Sequence, residues 1–185
     1  MNDATDETIA RRVQQGEIDA FSLLMGRYEK KIIRYGKKFL SCSDDIKDIA
    51  QEIFTKAFVN IRSFDCKRKF SPWLYRIAHN EFVNALKKKK SEKIAFVDFD
   101  VFFPHPAAKE SADGDVDRAD LRRRLDGVLG KLPAKYREPL VLYYFEEMNY
   151  REIADIMRLP VSTVGIRLQR GKTLMKKHLE SEKHE

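Results

Sequence analysis

"NYREIADIMRLPVSTVGIRLQRGKTLMKKHL", residues 149–179, has the pattern of two helices joined by a short turn. Asn149, with a glutamate three residues later, is typical of a helix start, because such side chains cap the backbone amides of the first turn. Pro160 cannot lie inside a helix, since it has no amide proton and its ring clashes with the preceding turn. The sequence therefore predicts a helix-turn-helix whose second helix runs from Thr163 to near Leu179.

The second helix of this pair concentrates positive charge. In a helix-turn-helix, the start of the second helix enters the major groove of DNA, where early side chains contact base edges and basic ones hold phosphates. An ordinary helical hairpin with a polar face is the alternative, but the short turn, the small Ala154 at the crossing and the basic charge favour DNA binding. The residues predicted to contact DNA are Ser162, Thr163, Arg167, Arg170 and Lys172.

The rest of the chain is also helical in its periodicity. Apolar residues recur every three or four positions over residues 20–40 and 44–60, which predicts two long helices. Ser71 followed by Pro72 predicts the start of a third helix that runs to about Lys90, because Ser caps a helix and Pro fits its first position.

The predicted fold is therefore all-α, with two small helical domains and a helix-turn-helix in the C-terminal one. The domains span residues 1–90 and 116–185, and a flexible acidic linker, residues 91–115, joins them. The first domain has 19 basic and 12 acidic side chains, the linker 2 and 6, and the second domain 15 and 11. Two basic blocks around an acidic joint favour a polyanionic partner, through phosphate contacts that release counterions.

Several classes of protein do not fit the sequence. There is no run of about 18 apolar residues, so we expect no membrane insertion. The N-terminal "MNDATDETIA" is too polar for a signal peptide, and we expect a cytoplasmic protein. Cys42 and Cys66 form no C-x-x-C motif and have no histidine at metal spacing, so we expect two free thiols, no metal and no cofactor.

The segment Arg62–Lys90, "RSFDCKRKFSPWLYRIAHNEFVNALKKKK", combines large rings with nine basic and two acidic side chains. A ring can stack on a base that has left the duplex, while lysines and arginines hold the backbone of the opened strand. We therefore predict that loop 62–70 and the next helix bind single-stranded or opened DNA. The alternative is that the rings cap the helical core, which we expect at least for Trp73. The candidate residues are Phe64, Asp65, Lys67, Arg68, Lys69, Phe70, Arg76, Asn80, Asn84 and Lys87.

An acidic stripe lies on the helix predicted over residues 44–60, and it consists of Asp45, Asp48, Gln51 and Glu52. In an otherwise basic half of the chain, this face either docks on a basic partner or is simply solvated, and the spacing alone does not decide between the two. A metal-dependent nuclease that uses Asp44 with the three carboxylates is a third hypothesis. Because no base or second set of ligands accompanies them, we expect no catalytic residue and no enzyme activity.

Three motifs in this order resemble the extracytoplasmic-function (ECF) subfamily of bacterial RNA polymerase sigma factors. "DIKDIAQEIFTKAF" resembles the helix that binds core RNA polymerase, and "FDCKRKFSPWLYRIAHN" resembles the promoter-melting loop and the helix that recognises the minus-ten element. "LPAKYREPLVLYYFEEMNYREIADIMRLPVSTVGIRLQRGKTLMKKHL" resembles the domain that recognises the minus-thirty-five element. The likeness extends over about residues 8–180, apart from the linker.

The resemblance implies a transcription initiation factor that binds core RNA polymerase and promoter DNA, both as duplex and as opened non-template strand. It places Phe54 with Asp48, Gln51 and Glu52 in the polymerase-binding helix, and Gly165 and Ile166 among the recognition-helix positions. It also implies a separate anti-sigma factor that masks both domains. The alternative is a helix-turn-helix regulator that does not join RNA polymerase, but this gives no reason for the ring-rich loop or the acidic face.

Overall fold

The structure is a computed structural model that describes residues 4–92, 125 and 127–181, with the side chains of 89–92 left out. All regular elements of these residues are helical, as predicted. The chain divides into two compact units, residues 1–95 with 151–158 and residues 96–150 with 159–185. From residue 93 onward the predicted linker lies outside the described residues, and its boundaries stay a prediction.

Four α-helices and two short 3₁₀ helices make up residues 4–92. They are α1 (Asp6–Gln14), a 3₁₀ helix (Ile18–Ala20), α2 (Phe21–Gly36), α3 (Ser43–Asn60), a second 3₁₀ helix (Ile61–Ser63) and α4 (Phe70–Glu92). The long helices predicted over 20–40 and 44–60 correspond to α2 and α3, and both bury the predicted apolar stripe. Helix α1 is an addition that the sequence did not lead us to predict.

Local signals explain where α1 begins and ends. The Thr5 hydroxyl oxygen accepts a hydrogen bond from the amide of Thr8, which satisfies one of the free donors of the first turn. Two acidic residues in the first turn and two arginines in the last turn complement the helix dipole. Gly16 ends the segment with a φ of 107°, a left-handed conformation that glycine adopts without strain.

Aromatic rings form the core between α2, α3 and α4. The fully buried Tyr35 packs edge-on against Tyr75 and Phe82, with ring centroids 5.2 and 6.0 Å apart. Phe39, just beyond α2, stacks on Phe82 at 5.6 Å. Gly36 allows this close packing, because a Cβ there would lie 2.5 Å from the ring of Phe82.

The later helices are the described part of α5 (127–131), α6 (Ala134–Tyr144), α7 (Tyr150–Met157) and α8 (Val161–Ser181). Helices α7 and α8 form the predicted helix-turn-helix. The turn uses Arg158 with a φ of 54°, followed by the predicted break at Pro160. Helix α8 begins two residues earlier than predicted, because the carbonyl of Pro160 already accepts the amide of Val164.

Helices α6 and α8 pack closely at a glycine. The nearest atoms to a Cβ at Gly171 would be Leu140 Cδ1 at 2.9 Å and the backbone oxygen of Tyr136 at 3.2 Å. The buried Arg137 of α6 donates from Nη2 to the carbonyls of Gly130 and Leu132, at 3.0 and 2.7 Å. These two bonds satisfy carbonyl groups at the end of α5, which have no helical partner of their own.

Candidate nucleic-acid interface

The loop between the second 3₁₀ helix and α4 projects its basic side chains outward. The Asp65 carboxylate accepts the amide of Lys67 at 2.9 Å, and the amide of Arg68 donates to the Asp65 carbonyl at 2.9 Å. These bonds close a tight turn in which Lys67, Arg68 and Lys69 are all exposed. The structure therefore presents three consecutive cationic side chains on one short turn, of which Arg68 lies 3.2 Å from Asp155 and Lys69 lies 3.3 Å from Glu152.

The rings of this segment lie beneath the turn. Phe64 and Phe70 are only 4% and 1% exposed, and their centroids are 5.4 Å apart. The hydrophobic effect places both rings in the core, which fits the alternative that the rings cap the helices, and their stacking on bases stays a prediction. Trp73 covers both rings, at 5.2 and 5.5 Å, and remains partly exposed. Rings and charges occupy opposite sides of the same segment.

Helix α4 begins two residues earlier than predicted. Phe70 is its first residue, so Ser71 and Pro72 lie inside the first turn and Ser71 is not the N-cap. The amide of Phe70 donates to the Glu7 carboxylate of α1 at 2.9 Å. A side chain from a distant segment therefore caps this helix.

Helix α4 presents the predicted polar positions along one side. Arg76, Asn84 and Lys87 are exposed, and Asn80 is half-buried. Their spacing of four, four and three residues places them in one row on an α-helix. The row continues from the basic turn, so both features lie in one continuous stretch of chain.

The acidic stripe of α3 faces solvent. Asp48, Gln51 and Glu52 are exposed and Asp45 is partly exposed. Phe54 is only 4% exposed, so its ring belongs to the core, and its assignment as a polymerase-contacting residue stays a prediction.

One lysine connects this stripe to α4. Lys56 Nζ lies 2.8 Å from Glu52 of α3 and 2.6 Å from Glu81 of α4. Hydrogen bonds to Glu52 and Glu81 raise the pKa of Lys56, so it is a stable cation. Glu52 is therefore paired within the chain as well as exposed to a partner.

Helix α8 exposes most of the residues predicted to contact DNA. Ser162, Ile166, Arg170 and Lys172 are exposed, while Thr163, Gly165 and Arg167 are partly exposed. Ile166, at 51%, is an unusually open apolar side chain for such a helix, and it suits contact with an apolar group such as a thymine methyl.

Lys172 has partners within the chain. Its Nζ lies 5.5 Å from the ring centre of Tyr144 and 6.0 Å from that of Tyr143. A hydrogen bond with Tyr144 raises the pKa of Lys172, which keeps it charged. The negative faces of the two rings attract this cation.

Among residues 4–92, 125 and 127–181, no helix is long and apolar enough to cross a membrane. The same residues contain no group of three or more His, Cys, Asp or Glu side chains that could hold a metal ion. The Cys66 thiol donates to Gln14 Oε1 at 3.3 Å, and Cys42 is exposed.

Two family patterns match the chain. Residues 24–92 match Sigma-70 region 2, and residues 122–175 match Sigma-70, region 4. The ECF RNA polymerase sigma factor SigW of Bacillus subtilis is 37% identical over 177 residues, which is 91% of this chain and 94% of that protein. The ECF RNA polymerase sigma-E factor of Haemophilus influenzae is 32% identical over 183 residues, or 95% and 96% of the two chains.

The fold also matches solved structures. The sigma factor RpoE, solved in complex with the anti-sigma factor NepR from Bartonella quintana, superimposes with a TM-score of 0.70 at 21% identity. The match covers 86% of this chain and 96% of that one. At this identity the likeness concerns the fold alone.

Proposed function

Because this chain belongs to the ECF sigma factors of RNA polymerase, which direct transcription initiation, we propose that three of its surfaces divide the work of promoter recognition and opening. The acidic face of α3 docks on core RNA polymerase. The turn of residues 64–69, with α4, holds the opened non-template strand at the minus-ten element. Helix α8 contacts duplex DNA at the minus-thirty-five element. The chain itself performs no covalent chemistry.

The observation that best supports this division is the arrangement of charge on residues 43–87. Outward-facing carboxylates on α3 and an outward-facing basic turn before α4 belong to one folded unit with a common aromatic core. An acidic surface suits a basic protein partner and repels DNA, whereas a basic turn attracts phosphates. One small unit can therefore bind polymerase and DNA with different surfaces.

The docking hypothesis is tested by reversing charge on the acidic face. We expect Asp48→Lys with Glu52→Lys to reduce co-elution with core polymerase sharply. Glu29→Lys, on the exposed side of α2, is the control for each single reversal, because it makes the same change of two charge units away from the stripe. Equal binding by the stripe variant and the control would refute docking by this face.

The DNA-binding division is tested with variants in separate units. Arg167→Ala should weaken recognition of the upstream element by about 1–3 kcal/mol if this side chain contacts a base. Asn80→Ala should leave upstream binding intact and slow promoter opening. Arg68→Ala should also impair opening, and it should lower the salt dependence of binding by about one phosphate contact. A common binding defect in the first two variants would contradict the division.

We further propose a separate anti-sigma partner for this chain, supported by the complex of RpoE with NepR in the shared fold. The tagged chain is purified from its own cells, and each co-purified protein is added to a transcription reaction with core polymerase. We expect one of them to displace the chain from core. If every co-purified protein leaves transcription unchanged, the partner hypothesis fails.

The decisive experiment for the whole proposal is transcription in vitro with core polymerase, this chain and a genomic fragment library. Discrete transcripts that require both proteins support the proposal, and their start sites identify the promoter elements. Duplex binding by the chain alone, without transcripts or co-elution with core, would favour a regulator that does not join polymerase. A magnesium-dependent nicking assay on the same DNA tests the nuclease hypothesis.

A further inference from the structure

Helix α1 contacts the root of the candidate strand-binding turn through one glutamine. The side-chain nitrogen Nε2 of Gln14 donates to the carbonyl of Ile61 at 2.7 Å and to the carbonyl of Phe64 at 2.8 Å. The other end of the same amide, Oε1, accepts from the thiol of Cys66 at 3.3 Å. One partly buried side chain thus joins three positions around the second 3₁₀ helix and the start of the turn.

The far end of the turn is held by a second residue of α1. Glu7 accepts the amide of Phe70, the first residue of α4, at 2.9 Å. Glu7 and Gln14 are seven residues apart, which is two turns of helix and about 10 Å along its axis. The two side chains therefore lie on the same face of α1, and together they hold both ends of the turn 64–69.

Helix α1 is itself fixed to the body of the unit. One oxygen of Asp6 accepts from the hydroxyl of Tyr28 at 2.5 Å, and the other accepts from Arg27 at 2.6 Å. Ile9 and Ala10 are fully buried on the same helix. The turn is therefore connected to α2 through a helix that has little freedom to move.

We propose that Gln14 and Glu7 are positioning residues for promoter opening, which hold turn 64–69 in the conformation that accepts the opened strand. This inference rests on the proposed function of the turn. The turn does not belong to a helix. Asp65 is the acceptor of both hydrogen bonds within it, from the amides of Lys67 and Arg68. A turn ordered in advance loses less entropy when it binds a strand than one that must be ordered by binding. Helix α1 lies before residues 24–92, which match region 2.

The first test compares neighbouring glutamines. Gln14→Ala removes all three bonds, whereas Gln15→Ala changes an exposed glutamine at the end of the same helix. In reconstituted holoenzyme, we expect Gln14→Ala to slow promoter opening by about tenfold, since the loss of these three hydrogen bonds frees the turn. Affinity for core polymerase should stay unchanged, and amide exchange should rise within residues 61–69. Gln15→Ala should resemble the wild type in all three measurements.

The second test separates the hydrogen bond of Glu7 from its charge. Glu7→Gln keeps an oxygen that can accept the Phe70 amide, whereas Glu7→Ala removes it. We expect Glu7→Ala to slow opening and Glu7→Gln to restore most of the rate. Rescue by Gln identifies the hydrogen bond to Phe70 as the cause, because Gln restores an acceptor without restoring the negative charge.

The failure of this inference is distinct from the failure of the proposed function. If Arg68→Ala slows opening and Gln14→Ala does not, although exchange shows a loosened turn, the positioning role is refuted and the function of the turn survives. If Arg68→Ala and Gln14→Ala both open promoters at the wild-type rate, the proposed function of the turn fails, and the inference fails with it. If Gln14→Ala lowers core affinity as much as opening, its role is structural and the inference is also overturned.

Discussion

Replacing Gly36 by alanine should destabilise the first unit, although alanine favours helices more than glycine does. A Cβ at this position would lie 2.5 and 2.6 Å from the Cζ and Cε1 atoms of Phe82 and 2.8 Å from Cγ2 of Ile46. Carbon atoms make favourable contacts at about 3.5–4.0 Å, so one neighbour must move by roughly 1 Å. Both neighbours are buried, and the ring of Phe82 is stacked on Phe39.

The expected magnitude follows from two opposing terms. Overpacking of a filled core costs about 1–3 kcal/mol. The gain in helix propensity is at most about 1 kcal/mol, and it is smaller here because Gly36 is the last residue of α2. We therefore expect a net loss of about 1–2 kcal/mol, which corresponds to a melting temperature lower by roughly 4–16 °C in a unit of this size.

Gly26 supplies the matched control in the same helix. A Cβ there would meet nothing within 4 Å, so Gly26→Ala should stabilise the unit by about 1 kcal/mol. Urea unfolding followed by far-UV circular dichroism measures both changes. If Gly36→Ala proves as stable as Gly26→Ala, the close packing of α2 on α4 is wrong.

Three further predictions concern other parts of the molecule. Gly165→Ala should stabilise α8 by about 1 kcal/mol in urea unfolding, because the new Cβ would lie at an ordinary contact distance of 3.7 Å from Tyr150. Gly171→Ala should not stabilise it, because that Cβ would lie only 2.9 Å from the buried Leu140. Burial, and secondly the hydrogen bond to Asp6, raise the pKa of Tyr28 in the folded protein above its ordinary 10.0. The protonated hydroxyl therefore contributes its full stabilisation of the folded unit below pH 10.0. This contribution is lost as the pH rises through the pKa of the folded state. Unfolding measured below and above that pH should show a smaller alkaline loss in Tyr28→Phe. Arg137→Met should cost about 2–4 kcal/mol in thermal unfolding, because two carbonyls lose their buried donor.

Most helices of this fold could be predicted because apolar spacing and helix-breaking residues are visible in the local sequence. Apolar residues every three or four positions located α2 and α3, and Pro160 located the turn before α8. The start of α4 was missed by two residues, since its cap is Glu7, 63 residues away in the chain. No local pattern reveals a cap of that kind.

The candidate site could be predicted only where charge decides exposure. Lys67, Arg68 and Asp48 face solvent as expected, because burying an unpaired charge is costly. Composition could not tell which rings of the basic segment face outward, and Phe64 and Phe70 lie inside. Phe54 belongs to the apolar stripe of α3. The helical spacing of that stripe predicts the burial of Phe54, whereas the likeness to the docking motif does not.

Helix α1 could have been located from the sequence, but its contacts with the turn could not. Thr5 before two acidic residues, followed by Ile9, Ala10 and Val13 at helical spacing, is a signal that could have located it. The contact of Gln14 with Ile61 and Phe64 joins positions 47 and 50 residues apart. Only the folded arrangement shows that this helix holds the turn.

Trp73 gives the protein an optical probe at a useful position. It is the single tryptophan of the chain, and its partly exposed indole lies against Phe64 and Phe70 at the root of the basic turn. Light absorbed at the red edge of the indole band therefore excites one site in the whole molecule. Because indole emission responds to the water around the ring, the wavelength and intensity of Trp73 emission report on the surroundings of the basic turn without any label.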